Sequence, residues 1–216
     1  MNVNELDSKI IEVLSNCDEA GSNVLEEGRA NSLIDEGKII KILKNNEELN
    51  HYIYNGYDTL RGTGDINFIL DYELYPYNIK TYDDNENGTN DNIFSKLGLL
   101  YSFTDIDIRG IPKALSWKKL YEYISNNKKE VERDYQYIVC SKKSFNKCAI
   151  RGLKKINLLH SNPSNILQVN WVKELKLPEN NLTFEQSYNM IISTIIESLQ
   201  KDISGKLDFC KLNGGN

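Results

Sequence analysis

Cysteine and histidine are scarce in this chain, and their placement excludes two classes of scaffold. The four cysteines stand at 17, 140, 148 and 210 with no Cys-x-x-Cys pair, and only two histidines accompany them. That pattern encodes neither a disulfide framework nor a zinc site, so reduced thiols are expected. No apolar run approaches the length of about eighteen residues that a membrane span needs. Glu5 and Asp7 precede any apolar stretch, the wrong order for a secretory signal, so the expected location is the cytoplasm, with no membrane partner. There is no internal repeat, and no low-complexity linker beyond the Gly-Gly-Asn tail. With 216 residues, 40% of them hydrophobic and 26% charged, the chain is expected to be a single domain spanning 1–216 with its own core.

Positive charge is also in short supply overall, at a formal net of -5, but the average conceals an asymmetry. Residues 1–75 hold 15 acids against 6 bases, whereas residues 76–216 hold 16 acids against 20 bases. Between Cys140 and Lys173 there are seven basic residues (Lys142, Lys143, Lys147, Arg151, Lys154, Lys155 and Lys173) and no acid. A phosphate backbone is attracted to such a stretch, although a run of charge taken alone is more often a solvated face.

Apolar periodicity predicts a mixed fold. Leu6, Ile10, Val13 and Leu14 recur at helical spacing, as do Leu33, Ile34, Ile39, Ile40 and Leu43, so two amphipathic helices open a helical part over 1–60. From Asp65 the period becomes two: Ile66, Phe68 and Leu70, then Tyr75, Tyr77 and Ile79, predict two consecutive strands within 61–82. Pro76 suits only the start of a strand. Residues 83–91 are turn chemistry throughout, and Asn92 is a candidate cap for a helix carrying Phe94, Leu97, Leu100 and Tyr101. Ser116 is a second candidate cap, and 135–140 and 166–170 read as short strands. Thr183 and Gln186 form a capping box for a last helix over 183–203.

Asp65 on the first strand and Lys80 on the second suggest phosphodiester chemistry. Hydrolysis of DNA needs a divalent cation to polarise the phosphate, and Mg²⁺ favours one or two carboxylates plus the phosphate itself. Because side chains on a strand alternate, positions 78 and 80 share a face while Ile79 points away, leaving its carbonyl as a further candidate ligand. Lys80 would orient or deprotonate the attacking water. An acid followed by a lysine at this spacing is common by chance.

A longer resemblance strengthens the pattern. Thr63-Gly64-Asp65-Ile66 through Asn78-Ile79-Lys80-Thr81 is similar to the active-site hairpin of HincII-type restriction endonucleases, in the EcoRV-like branch of the PD-(D/E)xK nuclease superfamily. The likeness continues at Asn92-Ile93, at Asn162-Pro163-Ser164, through the strand ending in Asn170-Trp171, and into the last helix, covering about 62–203. It implies an α/β (α+β) fold with a mixed central sheet flanked by helices. It also implies a Mg²⁺-dependent type II enzyme that cuts both strands of a short palindromic duplex, leaving 5′-phosphates and blunt ends. The site residues carried over are Asp65, Asn78 and Lys80 as catalytic, with Asp65, Asn78 and Ile79 holding the metal. Two active sites related by a dyad imply a homodimer, and restriction implies a DNA methyltransferase as genetic partner.

Position 78 departs from the family pattern, which has Asp or Glu there. Three explanations stand open: an engineered acid-to-amide change, a natural site compensated by another acid, or a nuclease that has lost its activity. Glu27 and Glu36 on the early helices are candidates for a compensating acid, but a solvated helix glutamate is the expected reading of each. The resemblance places base recognition in the loop 83–92, at Thr89, Asn90 and Asn92, and at Asn170, expected to face outward; Asn pairs bidentately with adenine. Lys142 and Lys143 are expected to line the DNA cleft. A catalytically silent DNA-binding protein on the same fold is the alternative reading, and a partner-binding domain with no DNA role the third.

Overall fold

Strand β2, Glu73–Tyr82, is the axis of the molecule. It pairs antiparallel with β1, Ile66–Leu70, through a tight turn, and parallel with β4, Gln136–Ser141, which pairs antiparallel with β5, Ser144–Gly152. The order β1-β2-β4-β5 makes a mixed four-stranded sheet. The computed structural model describes residues 1–21, 28–54, 63–84, 88–112 and 114–213, without the side chains of 28–30 and 205–213. Pro76 sits in the fourth position of β2 and is tolerated because parallel pairing with β4 begins one residue later, at Tyr77 opposite Gln136, so no ladder needs its missing N–H.

Helices cover both faces, as parallel pairing requires. On one side, helices α1 (Val3–Ser15), α2 (Gly28–Asn45) and α3 (Glu47–Asn50) bury Leu6, Ile10, Leu14, Ile39, Leu43 and Leu49 against Ile66, Phe68, Tyr77, Ile79 and Ile138. On the other side, α4 (Lys96–Phe103), α5 (Trp117–Asn127) and α7 (Phe184–Asn213) pack with Tyr135, Tyr137, Val139 and Trp171. Trp171 opens the short helix α6, Trp171–Glu174, and is fully buried, which accords with a core role. The architecture is mixed α+β, a four-stranded mixed sheet flanked by helices, consistent with a restriction-endonuclease-like α/β fold. Among the described residues, no helix is long and apolar enough to cross a membrane.

A second sheet joins β3 (Asn90–Asn92), β7 (Ile166–Asn170) and β6 (Leu159–Asn162) in the order β3-β7-β6. Here the structure corrects the expected helix cap at Asn92. That residue is paired with Gln168 at the end of β3, and its Oδ1 accepts from the Phe94 N–H; Ser95 caps α4 by accepting from the Gly98 N–H at 3.0 Å. The Thr183–Gln186 capping box forms as expected, though α7 continues past 203 to Asn213. The cysteines are less scattered in space than in sequence. Cys140 stands opposite Cys148 across β4 and β5, and both are free, as is Cys17.

A buried acid lies beneath the sheet. The Tyr77 hydroxyl donates to Asp7 Oδ1 at 2.6 Å, but burial outweighs that bond and, with the Glu179 charge, pushes the Asp7 carboxyl up to about 6. An acid raised in the folded state stabilises the fold when protonated, below its unfolded value near 4, and loses that contribution as pH climbs through 6. Urea denaturation should show wild type losing about 2 kcal/mol more than Asp7→Asn between pH 4 and pH 7. Equal slopes for the two proteins would contradict this environment for Asp7.

Candidate active site

The close approach of the two hairpin strands begins at Gly64, where a Cβ would stand 2.7 Å from the Tyr77 carbonyl oxygen, so a larger residue would force the strands apart. The next residue, Asp65, donates its backbone N–H to that same carbonyl at 2.8 Å, and its Oδ2 accepts from the Ile79 N–H at 2.7 Å. The acid of the first segment is thereby fixed onto the stretch Asn78-Ile79-Lys80 of the second. Asn78 and Lys80 share one face of β2 and are half-buried, while Ile79 turns fully into the core, as the alternation predicts. The Ile79 amide thus holds Asp65, a role the sequence did not suggest.

Two cavities flank this segment. One, of about 420 Å³, is lined by Asp65, Asn78, Phe94, Ser95, Lys96 and Tyr135, among others. The buried Tyr135 hydroxyl meets Ser95 and Asn78; burial raises its pKa and those two hydrogen bonds oppose the rise. The other cavity, of about 360 Å³, is lined by Glu36, Lys80, Asp91, Asn92 and their neighbours. Among the described residues, no group of three or more His, Cys, Asp and Glu side chains is placed to hold a metal ion.

The residues present nevertheless suit a hard divalent cation that completes its shell with water and phosphate oxygens. Asn78 Oδ1 is buried and accepts no hydrogen bond from the described residues, yet Asn78 lies on the cavity that Asp65 also lines. An orphaned buried acceptor beside a carboxylate is the donor set such an ion takes.

Glu36 is corrected from a solvated helix residue to a member of the site. It reaches down from α2 half-buried, and its carboxyl is pushed up to about 7, by burial first and then by the Asp65 charge, against the opposing pull of Lys80. The carboxylate absent at position 78 therefore has a neighbour within electrostatic reach of Asp65. Glu27 lies outside the described residues.

The recognition candidates divide. Asn90 is exposed and pairs with Asn170, so two positions eighty residues apart in sequence meet across β3 and β7. Thr89 and Asn92 are exposed beside it. Asn170 does not face outward as expected: it is 4% exposed, its Oδ1 accepts from the Lys173 N–H to cap α6, and Gly88 packs against it. Gly88 has φ +55°, and a Cβ there would come within 2.7 Å of Asn170 Oδ1, so glycine is required on both counts. A polar row that sequence reasoning missed crosses this sheet, where Asn92 stands opposite Gln168 and Gln168 opposite His160. Period-two spacing of 168 and 170 was the available signal.

The acid-free basic stretch finds its acids elsewhere in the fold. Lys142 is mostly buried and pairs with Asp83 at 3.6 Å, which corrects its assignment as a free phosphate contact. Lys143 and Lys147 remain 66% exposed and share Asp84 at 4.0 and 3.9 Å; such loose surface pairs contribute about 0–1 kcal/mol and leave both ammonium groups able to take up a phosphate. Arg151 is buried against Glu174, and Lys154 against Asp134, at the far end of β5. The stretch is therefore not one cationic face.

The sequence matches no protein-family model and no curated protein.

The Ile79–Asp65 hydrogen bond makes a prediction about stability distinct from activity. Asp65→Asn keeps an acceptor and should unfold within about 0.5 kcal/mol of wild type, whereas Asp65→Ala leaves the Ile79 N–H without its partner and should cost about 1–2 kcal/mol. Isothermal titration with Mn²⁺ should find binding at least tenfold weaker in both variants. Equal Mn²⁺ affinity in wild type and Asp65→Asn would remove Asp65 from the ligand set.

Proposed function

We propose that the chain is a Mg²⁺-dependent type II restriction endonuclease of the HincII kind, acting as a homodimer on a short palindromic site in double-stranded DNA. The observation that carries this reading is the 2.7 Å bond from the Ile79 amide to Asp65, which ties that acid to the strand segment on which Asn78 and Lys80 share a face. Asp65 and Asn78, with the Ile79 carbonyl, would hold the cation. When bound, the cation supplies Lewis-acid polarisation of the scissile phosphate and lowers the pKa of a coordinated water. Lys80 orients that water toward phosphorus and stabilises charge gathering on the phosphate oxygens. The water oxygen would bond to phosphorus as the P–O3′ bond breaks, the water giving up a proton to solvent and the 3′ oxygen taking one from solvent, which leaves a 5′-phosphate and a 3′-hydroxyl. Glu36, on the cavity it shares with Lys80, would supply negative charge in place of the carboxylate that position 78 lacks once its raised carboxyl gives up its proton. Thr89, Asn90 and Asn92 read base edges, and Lys143 contacts the backbone. Blunt ends and a partner DNA methyltransferase follow from the resemblance, and we place the enzyme in the cytoplasm.

A catalytically silent, sequence-specific DNA-binding protein on the same fold is the second reading, favoured by the amide at position 78. Digestion of a defined DNA library with Mg²⁺ or Mn²⁺ separates the two. The first reading predicts cleavage at one palindromic sequence, a loss of at least 100-fold in Lys80→Ala, and a gain of at least tenfold in Asn78→Asp. Binding in Ca²⁺ with no cleavage by either wild type or Asn78→Asp supports the silent protein. Neither binding nor cleavage overturns both.

A further inference from the structure

Asp91 belongs to none of the roles assigned so far, yet it is the acid most directly placed between base reading and chemistry. It is the central residue of β3, flanked by the exposed Asn90 and Asn92. Its register partner is Val169, a fully buried residue of the core, so Asp91 turns inward while its two neighbours turn out. There it lines the same cavity as Lys80 and Glu36. Its Oδ2 is buried and accepts no hydrogen bond from the described residues, among which the positive charges that reach it are those of Lys80 and Lys142. Lys142 already has Asp83 at 3.6 Å, so Lys80 is the cation left for Asp91 to oppose.

A buried carboxylate oxygen with no donor lowers stability, and such a group persists where a function holds it. The element carrying it is suited to motion. Strand β3 has three residues, lies at the edge of its sheet, and among the described strands is bonded to β7 alone. Because Asp91 and Lys80 line one cavity, a displacement of β3 alters the setting of Lys80.

Resting on the endonuclease reading, we propose that Asp91 is a positioning residue that couples base recognition to catalysis. Bases held by the outward Asn90 and Asn92 fix β3, and the inward Asp91 then sets the Lys80 ammonium toward the scissile phosphate. A non-cognate base leaves β3 unfixed and Lys80 misaligned, so discrimination appears in the rate of cutting more than in binding.

The test compares Asp91→Asn and Asp91→Glu in whichever of wild type and Asn78→Asp cleaves more actively. Four readouts are followed: thermal unfolding, DNA affinity by fluorescence anisotropy in EDTA, kcat and KM on the cognate site, and the cognate to one-base-mismatch rate ratio. Asp91→Asn should melt at or above the parent temperature and bind DNA within twofold of it. Its kcat should fall at least tenfold with KM unchanged, and the rate ratio should shrink by a similar factor; Asp91→Glu should recover part of both. If Asp91→Asn melts well below the parent, the residue is structural and the proposal fails. Unchanged kcat and rate ratio also overturn it, with the endonuclease reading intact. Absence of cleavage by both parents overturns that reading and this one together, and is told apart by occurring before any change at position 91.

Discussion

The site depends on one backbone constraint: the Ile79 N–H donates to the carboxylate of Asp65 at 2.7 Å. In an antiparallel pair the first residue beyond the ladder is free to splay away. Here Gly64 lets the strands close to contact, and the Asp65 side chain then takes a backbone donor from β2, so it cannot leave that strand without orphaning a buried N–H. Because Ile79 is locked into the core beside Tyr77 and Ile138, the residues on either side of it, Asn78 and Lys80, are held to the opposite face. Packing under the sheet thereby fixes the polar groups above it.

Charge is organised around the same point. The early acidic surplus looks like solvated helix surface in the sequence, but Glu36 brings one of those carboxylates into the reach of Asp65 and Lys80. Asp91 reaches Lys80 as well, its carboxyl pushed up to about 6 by burial, with Lys80 and Lys142 opposing the rise. Lys80 thus stands between acids from a helix and an edge strand, Glu36 and Asp91, each in a partly dehydrated setting, while Asp65 on the hairpin is exposed. Raised carboxyl pKa values gathered about one lysine in a cleft are characteristic of sites that perform chemistry.

The elements that local physics decides were legible in the sequence. Leu6, Ile10 and Leu14 give α1, the alternation from Ile66 gives β1, and Thr183 with Gln186 opens α7. Strand β5 was not, because Asn146, Lys147 and Arg151 interrupt any apolar period and only α1 covers part of its face. The cap of α4 was misassigned for a tertiary reason: Asn92 and Ser95 are both competent caps, and pairing of Asn92 with β7 removes it from the choice. The basic stretch misled for the same kind of reason, since Asp83, Glu174 and Asp134, which neutralise much of it, come from outside the stretch. Spacing put Asp65, Asn78 and Lys80 forward as candidates, whereas Glu36 and Asp91 required the fold, because nothing in a helix or a turn marks which acid will face inward.

The central claim is that Asp65 and Asn78 form one oxygen-lined position for a divalent cation beside Lys80. Anomalous diffraction from crystals of the free protein soaked in Mn²⁺ tests it directly. The account predicts a peak about 2.1 Å from an oxygen of Asp65 and from Oδ1 of Asn78. A peak elsewhere, or none while Asp65 keeps only its bond from Ile79, would contradict it.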